Sequence, residues 1–284
     1  MTDTAAPPPR RVGTLERPGG CLIYYEVTGS GPAIVFAHGL GGNHISWYQQ
    51  VAHFAPHYTC VTFAHRGFSP SSWLADGPDP AEYADDLAAL VAHLGLNDIR
   101  LVGQSMGGWT AVEYALRRPA ELRAVVLAAT TGTIDFRRIR EPERTRITAW
   151  LKFSEEASAA LFKSGVHPAA GMRMVTEQPA MALLYHHINE LNAALDKPAL
   201  FARLRVGRTR APEELATVAC PILFIPSDED VVMPPFAPDA IAGVVPGVRV
   251  AHIPDAGHSG YFERPAVFNR ILEEFFASIT ASQT

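Results

Sequence analysis

Six short apolar runs constrain this chain more than any other feature: Ala33 to Ala37, Thr59 to Ala64, Ile99 to Gly103, Arg123 to Ala129, Pro221 to Ile225 and Val248 to Ile253. Apolar residues at consecutive rather than alternate positions predict strands covered on both faces, and such strands are usually parallel. A helical pattern joins several of them. In the clearest, Asp79 to Leu94, Asp79 supplies a cap, Pro80 suits the first turn, Glu82 completes a capping box and Gly95 ends the helix. Tyr83, Leu87, Leu90, Val91 and Leu94 form its apolar stripe. A hairpin precedes the series, Val12 to Glu16 and Cys21 to Val27, turned by Arg17-Pro18-Gly19-Gly20. Strand and helix in alternation predict an α/β class, a mostly parallel doubly wound sheet. Between Thr131 and Thr217 the alternation stops and helix-like segments, Glu143 to Phe153 and Ala180 to Leu195, run without a strand. The expected organisation is a Pro-rich loose tail over 1–10, a core made of 11–130 and 218–284, and a helical lid, 131–217, inserted between the sixth and seventh strands. Ligands of open α/β sheets bind at the carboxyl edge, where such a lid would wall a pocket.

Composition narrows the classes of function. Hydrophobic residues make up 48% and charged residues 19% of 284, which fits a soluble globular protein. A net charge of −5 without a long basic block offers nucleic acid no footprint. Arg137, Arg138, Arg140, Arg144 and Arg146 read as a solvated helix face, with the receipt of a substrate carboxylate as the alternative. Cys21, Cys60 and Cys220 are too few and too scattered for a disulfide framework or a zinc motif. With no secretory leader pattern and no run of 18 apolar residues, the expectation is a cytoplasmic protein with no membrane partner, no metal and no cofactor, acting on a small molecule. Exposed apolar patches cannot be told from lid packing in a sequence, which leaves room for a homo-oligomer.

The chemistry concentrates where the strand Ile99 to Gly103 runs into Gly103-Gln104-Ser105-Met106-Gly107, followed by Gly108 and a helix-compatible run from Trp109 to Arg117. Gly-x-Ser-x-Gly between strand and helix describes a sharp turn that lifts a serine hydroxyl above the sheet edge, with side chains at 103 and 107 barred by neighbouring backbone. A serine nucleophile needs a base within reach, and the base needs an acid. Ala256-Gly257-His258 follows the last apolar run and leads through Tyr261-Phe262-Glu263-Arg264-Pro265 into the final helix. The run Pro221 to Ile225 is followed by three carboxylates, Asp228, Glu229 and Asp230.

These motifs resemble the α/β-hydrolase fold family from about Val12 to Ala277. The resemblance implies the α/β-hydrolase fold and a serine hydrolase with Ser105 as nucleophile, His258 as base and Asp230 as acid, in the order Ser, Asp, His along the chain. Asp230 is selected by the apolar pair and Pro that follow it, although Ser227 stands where the family has Gly. Asp228 is the runner-up, and Asp135, after the strand Arg123 to Ala129, a more distant one. His38-Gly39-Leu40-Gly41-Gly42 resembles the family's glycine turn, and by that resemblance the amides of Leu40 and Met106 form an oxyanion hole. His38 itself reads as a support for the loop. The segment Phe63 to Ser71 departs from the pattern, with Ala64 where relatives carry Asp and Ser69 where they carry Gly, and its His65 reads as a surface residue, with a place in the pocket as the alternative. Trp47 and Trp109 are candidates for lining an apolar substrate pocket, with plain packing as the alternative. The implied reaction is cleavage of a carboxylic ester or lactone of a small, largely apolar substrate. C–C bond hydrolysis, perhydrolysis and a non-catalytic ligand receptor of the same fold are the alternatives.

Overall fold

The computed structural model describes residues 7–281. Eight strands form one sheet: β1 (Arg10–Arg17), β2 (Cys21–Thr28), β3 (Ala33–Ala37), β4 (Thr59–Phe63), β5 (Ile99–Gln104), β6 (Leu122–Ala128), β7 (Ile222–Ile225) and β8 (Arg249–Val250), in the spatial order β1-β2-β4-β3-β5-β6-β7-β8. β1 and β2 are the antiparallel hairpin, β2 runs antiparallel to β4, and every pairing from β4 to β8 is parallel. Residues 1–6 of the expected tail lie outside the described residues. Pro7 to Pro9 have no regular structure, whereas Arg10 already pairs with Thr28 and bonds Glu26.

The central strands are apolar at consecutive positions because alternate side chains feed two separate cores. Val35, Leu101, Val125 and Leu127 pack on one face beneath α2 (Tyr83–Leu94) and α3 (Gly107–Leu116). Ile34, Phe36, Val102 and Val126 pack on the other, with Phe54 of α1 (Tyr48–Phe54) and with Phe268, Leu272, Phe275 and Phe276 of α10 (Pro265–Ala281). Asp79 caps the amide of Ala81, opening a single 3-10 turn before α2, and Gly95 closes α2 in the left-handed region at φ 61°. Glu82 closes no box there.

One strand is shorter than its apolar run. β8 is confined to Arg249–Val250, although Ile253 rejoins the ladder opposite Ser227. Pro226 stands between the two pairings, and proline has no N–H to donate to a ladder. β8 is also an edge strand, with Arg249 and His252 exposed rather than buried.

Between β6 and β7 the chain is helical, with α4 (Glu143–Lys163), α5 (Gly171–Glu177), α6 (Pro179–Glu190) and α7 (Lys197–Val206). Two shorter helices, α8 (Ala237–Ala242) and α9 (Gly260–Glu263), follow β7 and β8. None of the described helices is long and apolar enough to cross a membrane.

Asp86 of α2 ties the antiparallel edge to the parallel body. Its carboxylate takes Arg66 through two bonds of 2.6 and 2.5 Å and Arg17 through one of 2.9 Å, and it is almost wholly buried. Removing one side of a buried ionic cluster leaves charges uncompensated, so Asp86→Ala is expected to cost about 3–5 kcal/mol. A fall in urea midpoint of that size with an unchanged slope is the expected result, and a loss below about 1 kcal/mol would mean the arginines find water instead.

Candidate active site

β5 ends at Gln104, and the next residue, Ser105, holds φ at 49°, a left-handed conformation costly for a residue with a Cβ. The turn is enforced from both sides. A Cβ at Gly103 would lie 2.5 Å from the carbonyl oxygen of Gly107, and one at Gly107 would run into that of Ala37. The Ser105 amide bonds the carbonyl of Ala128 at the end of β6, and its carbonyl accepts the amide of Gly108 as α3 begins. The serine hydroxyl therefore stands at the carboxyl edge of the sheet, half-buried at the start of a helix.

Two loops bring partners to it. His258 Nε2 lies 2.8 Å from Ser105 Oγ, and His258 Nδ1 lies 2.8 Å from Asp230 Oδ2. The other Asp230 oxygen accepts the amides of Val232 and Met233 at 2.7 and 2.9 Å. An acceptor-only carboxylate on Nδ1 places the ring proton there and leaves Nε2 to accept from the serine hydroxyl. His258 and Asp230 are both sealed from solvent. The competing carboxylates are engaged elsewhere: Asp228 bonds His252 at 2.7 Å, Glu229 pairs with Arg173, and Asp135 takes Arg137 through both oxygens.

The glycine turn is pressed against the serine, since a Cβ on Gly39 would come within 3.1 Å of Ser105 Cβ. His38 shapes it. Its Nδ1 donates to the Gly39 carbonyl at 2.8 Å and its Nε2 accepts the His65 amide, so both ring nitrogens are spent. Burial pulls its pKa down to about 3, which keeps the ring neutral. No described backbone hydrogen bond uses the amides of Leu40 or Met106.

Three side chains differ from their sequence reading or were missed by it. His65 is buried rather than at the surface, packed against Phe63, His38 and Tyr83 with Nε2 2.8 Å from Thr110 Oγ1, because the segment after β4 folds inward. Trp47 is fully buried among Phe36, Tyr261 and Phe268, so what it lines is the second core rather than a pocket. Gln104, unremarked in the motif, donates to the His258 carbonyl at 3.2 Å and abuts Gly39, joining the serine turn, the histidine loop and the glycine turn. Its place beside the serine was the signal available. Trp109 is nearly buried, with Nε1 on the carbonyl of Leu204 in α7 and Arg208 stacked on its face.

The helical segment also reaches the site. Tyr185 of α6 brings its hydroxyl to Gly41 and lies beside Ser259, next to His258. Between α5 and α6 lies a cavity of about 100 Å³ lined by Val166, His167, Ala182, Tyr185 and Asn189. Burial, helped by the charge of Lys197, lowers His167 to about 4, so it meets the cavity uncharged. Among the described residues no cluster of His, Cys, Asp and Glu has metal-binding geometry.

Glu263 holds the histidine loop from below. Its Oε1 accepts the Gly257 amide at 3.0 Å while Oε2 is buried without a partner. Burial raises its pKa from 4.5 to about 7, against the pull of the Gly257 amide and Arg264. A carboxyl with a raised folded-state pKa stabilises fully below the unfolded pKa, and that contribution is lost as pH rises through the folded one. Wild-type stability should therefore decline by about 3 kcal/mol between pH 4.5 and pH 8 from this group alone. Glu263→Gln is expected to flatten that decline in urea melts, and an unchanged slope would assign it to other groups.

With the sheet, the turn and the hydrogen-bonded Ser–His–Asp chain in place, the class is defined: the chain belongs to the α/β-hydrolase fold family, whose model matches residues 32–265. A protein of Mycobacterium tuberculosis (strain ATCC 25618 / H37Rv) named as a non-heme bromoperoxidase, BpoC, is 32% identical over 279 residues, 91% of this chain and 99% of that one. One named as a carbamate hydrolase, RutD, from Azorhizobium caulinodans, is 25% identical over 92% of this chain and 97% of its own. Among solved structures, Est816, described as an N-acyl homoserine lactone degrading enzyme, superposes with a TM-score of 0.72 at 24% identity, covering 93% of this chain and all of that one.

Proposed function

We propose that this protein is a serine hydrolase that cleaves a carboxylic ester or lactone of a small, largely apolar substrate through an acyl-enzyme. The observation that carries the reading is the unbroken pair of 2.8 Å contacts from Ser105 Oγ through His258 to Asp230. In this reading His258 takes the serine proton as Oγ attacks the carbonyl carbon, and Asp230 stabilises the imidazolium. The amides of Leu40 and Met106 receive the developing oxyanion, which their lack of other acceptors favours. His258 then hands its proton to the leaving alkoxide and activates the water that releases the acid. The helices between β6 and β7 act as a lid, with the small cavity beside Tyr185 as one wall of the substrate space. No cofactor or metal enters this scheme.

A second reading is favoured by the relative named as a bromoperoxidase, 32% identical over nearly its whole length. Hydrogen peroxide attacking the same acyl-enzyme in place of water would release a peracid and regenerate Ser105. The test of both is titration with a serine-directed phosphonate followed by turnover of 4-nitrophenyl hexanoate, with and without peroxide. One label per chain and many turnovers support the hydrolase, and peracid formed at a rate matching ester cleavage supports the perhydrolase. Labelling without multiple turnover would make the protein a receptor built on the same fold.

A further inference from the structure

Arg208 follows α7 by two residues and packs against α3, the helix that begins at the serine turn. Its guanidinium stacks 4.8 Å from the centre of the Trp109 ring and 4.7 Å from that of Phe136. Its polar contacts are poor: Nε lies 3.5 Å from the Gly132 carbonyl, Nη2 lies 3.6 Å from Met233 Sδ, and no hydrogen bond from Nη1 to a described residue is present. No described carboxylate forms an ion pair with it. The acid whose charge acts on it, Asp135, already holds Arg137 bidentately, and Arg137 and Arg205 add opposing positive charge. Each contact also leads to the reacting groups. Trp109 lies four residues after Ser105 in the same turn and helix, Gly132 sits against the Gly108 carbonyl, and Met233 gives its amide to Asp230.

A half-buried cation without a counter-ion is costly to keep, and burial lowers this arginine's pKa to about 10. Two aromatic rings hold the guanidinium in place, and a guanidinium fork receives a carboxylate through paired N–H donors. The arginines from 137 to 146 offer no such site: all five are exposed, Arg137, Arg144 and Arg146 already pair with Asp135, Glu141 and Glu143, and Arg138 donates to the Thr209 carbonyl. We propose that Arg208 anchors a free carboxylate on the substrate, so that the preferred ester or lactone carries an acid group beyond the scissile bond. The proposal rests on the reading of Ser105 as nucleophile.

The experiment compares two esters that differ only at the far end of the acyl chain, the mono-4-nitrophenyl ester of adipic acid and 4-nitrophenyl hexanoate. Wild type is expected to prefer the adipate ester. Arg208→Met should lose about 100-fold in kcat/KM on it, the scale of a lost charge-assisted bond, and stay within about threefold on the hexanoate, which also reports intact folding. Arg208→Lys keeps the charge without the fork and should recover part of the loss. Equal losses on both esters, or no preference in wild type, would overturn the proposal and make Arg208 a packing residue. Calorimetric binding of adipate separates this from failure of the hydrolase reading: binding by wild type that Arg208→Met abolishes upholds the anchor even if neither ester turns over, and absence of binding removes it.

Discussion

Ser105→Ala is expected to lower kcat on 4-nitrophenyl hexanoate by about 10⁶-fold, the scale on which serine hydrolases lose turnover when the nucleophile is deleted. The variant should fold as wild type does. The strain at φ 49° belongs to any residue with a Cβ at that position, and alanine removes one oxygen without adding volume. What disappears is the acyl-enzyme. Residual hydrolysis, about 10³-fold above the reaction in water, would come from binding and from the amides of Leu40 and Met106. Phosphonate labelling should vanish together with turnover. A variant that loses the label but keeps more than a few per cent of the esterase rate would show that the hydroxyl accepts the probe without carrying the reaction, and the proposed mechanism would then be wrong.

The parallel sheet was legible because a strand buried on both faces has to be apolar at successive positions, a demand that Ile34, Val35 and Phe36 meet in sequence as in space. The end of the sheet was less so. The apolar run from Val248 to Ile253 looked continuous, but its ladder is broken by a proline in the partner strand, outside the run itself. α7 carried its signals, Asp196 capping the amide of Ala199 and Pro198 in the first turn, yet only Leu200 and Leu204 mark its buried face, too few to show a periodic stripe. The site divides in the same way. Where the backbone turn itself requires glycine, as at 103 and 107, the local sequence announced the geometry. The pairing of each carboxylate depends on where distant side chains arrive: Arg173 and His252 occupy Glu229 and Asp228, and nothing within the loop foretells either. Arg208 was overlooked for the converse reason. A dense arginine run draws notice in a sequence, but its side chains are exposed and three of them already hold acids, while the isolated Arg208 sits half-buried without one.

This allocation of carboxylates sets up the second large effect. Asp230→Asn should reduce kcat by about 10⁴-fold while leaving the fold and the phosphonate site in place. The amide keeps an oxygen for the Val232 and Met233 amides, so the loop holds. With that oxygen so held, however, it presents an NH₂ to His258, which forces the proton from Nδ1 to Nε2 and removes the acceptor that Ser105 needs. Asp228→Asn is the matched control. That side chain serves an exposed His252 that also reaches Asp239, so its loss should leave kcat within about twofold. The pair is decisive because both substitutions remove one negative charge from the same loop, two residues apart. If the two variants fell equally, the general field of the loop would be responsible, and the 2.8 Å contact between Asp230 and His258 would have no special standing. A loss confined to Asp230→Asn, with kcat restored neither by higher substrate nor by lower salt, would assign the effect to the tautomer and charge of one imidazole.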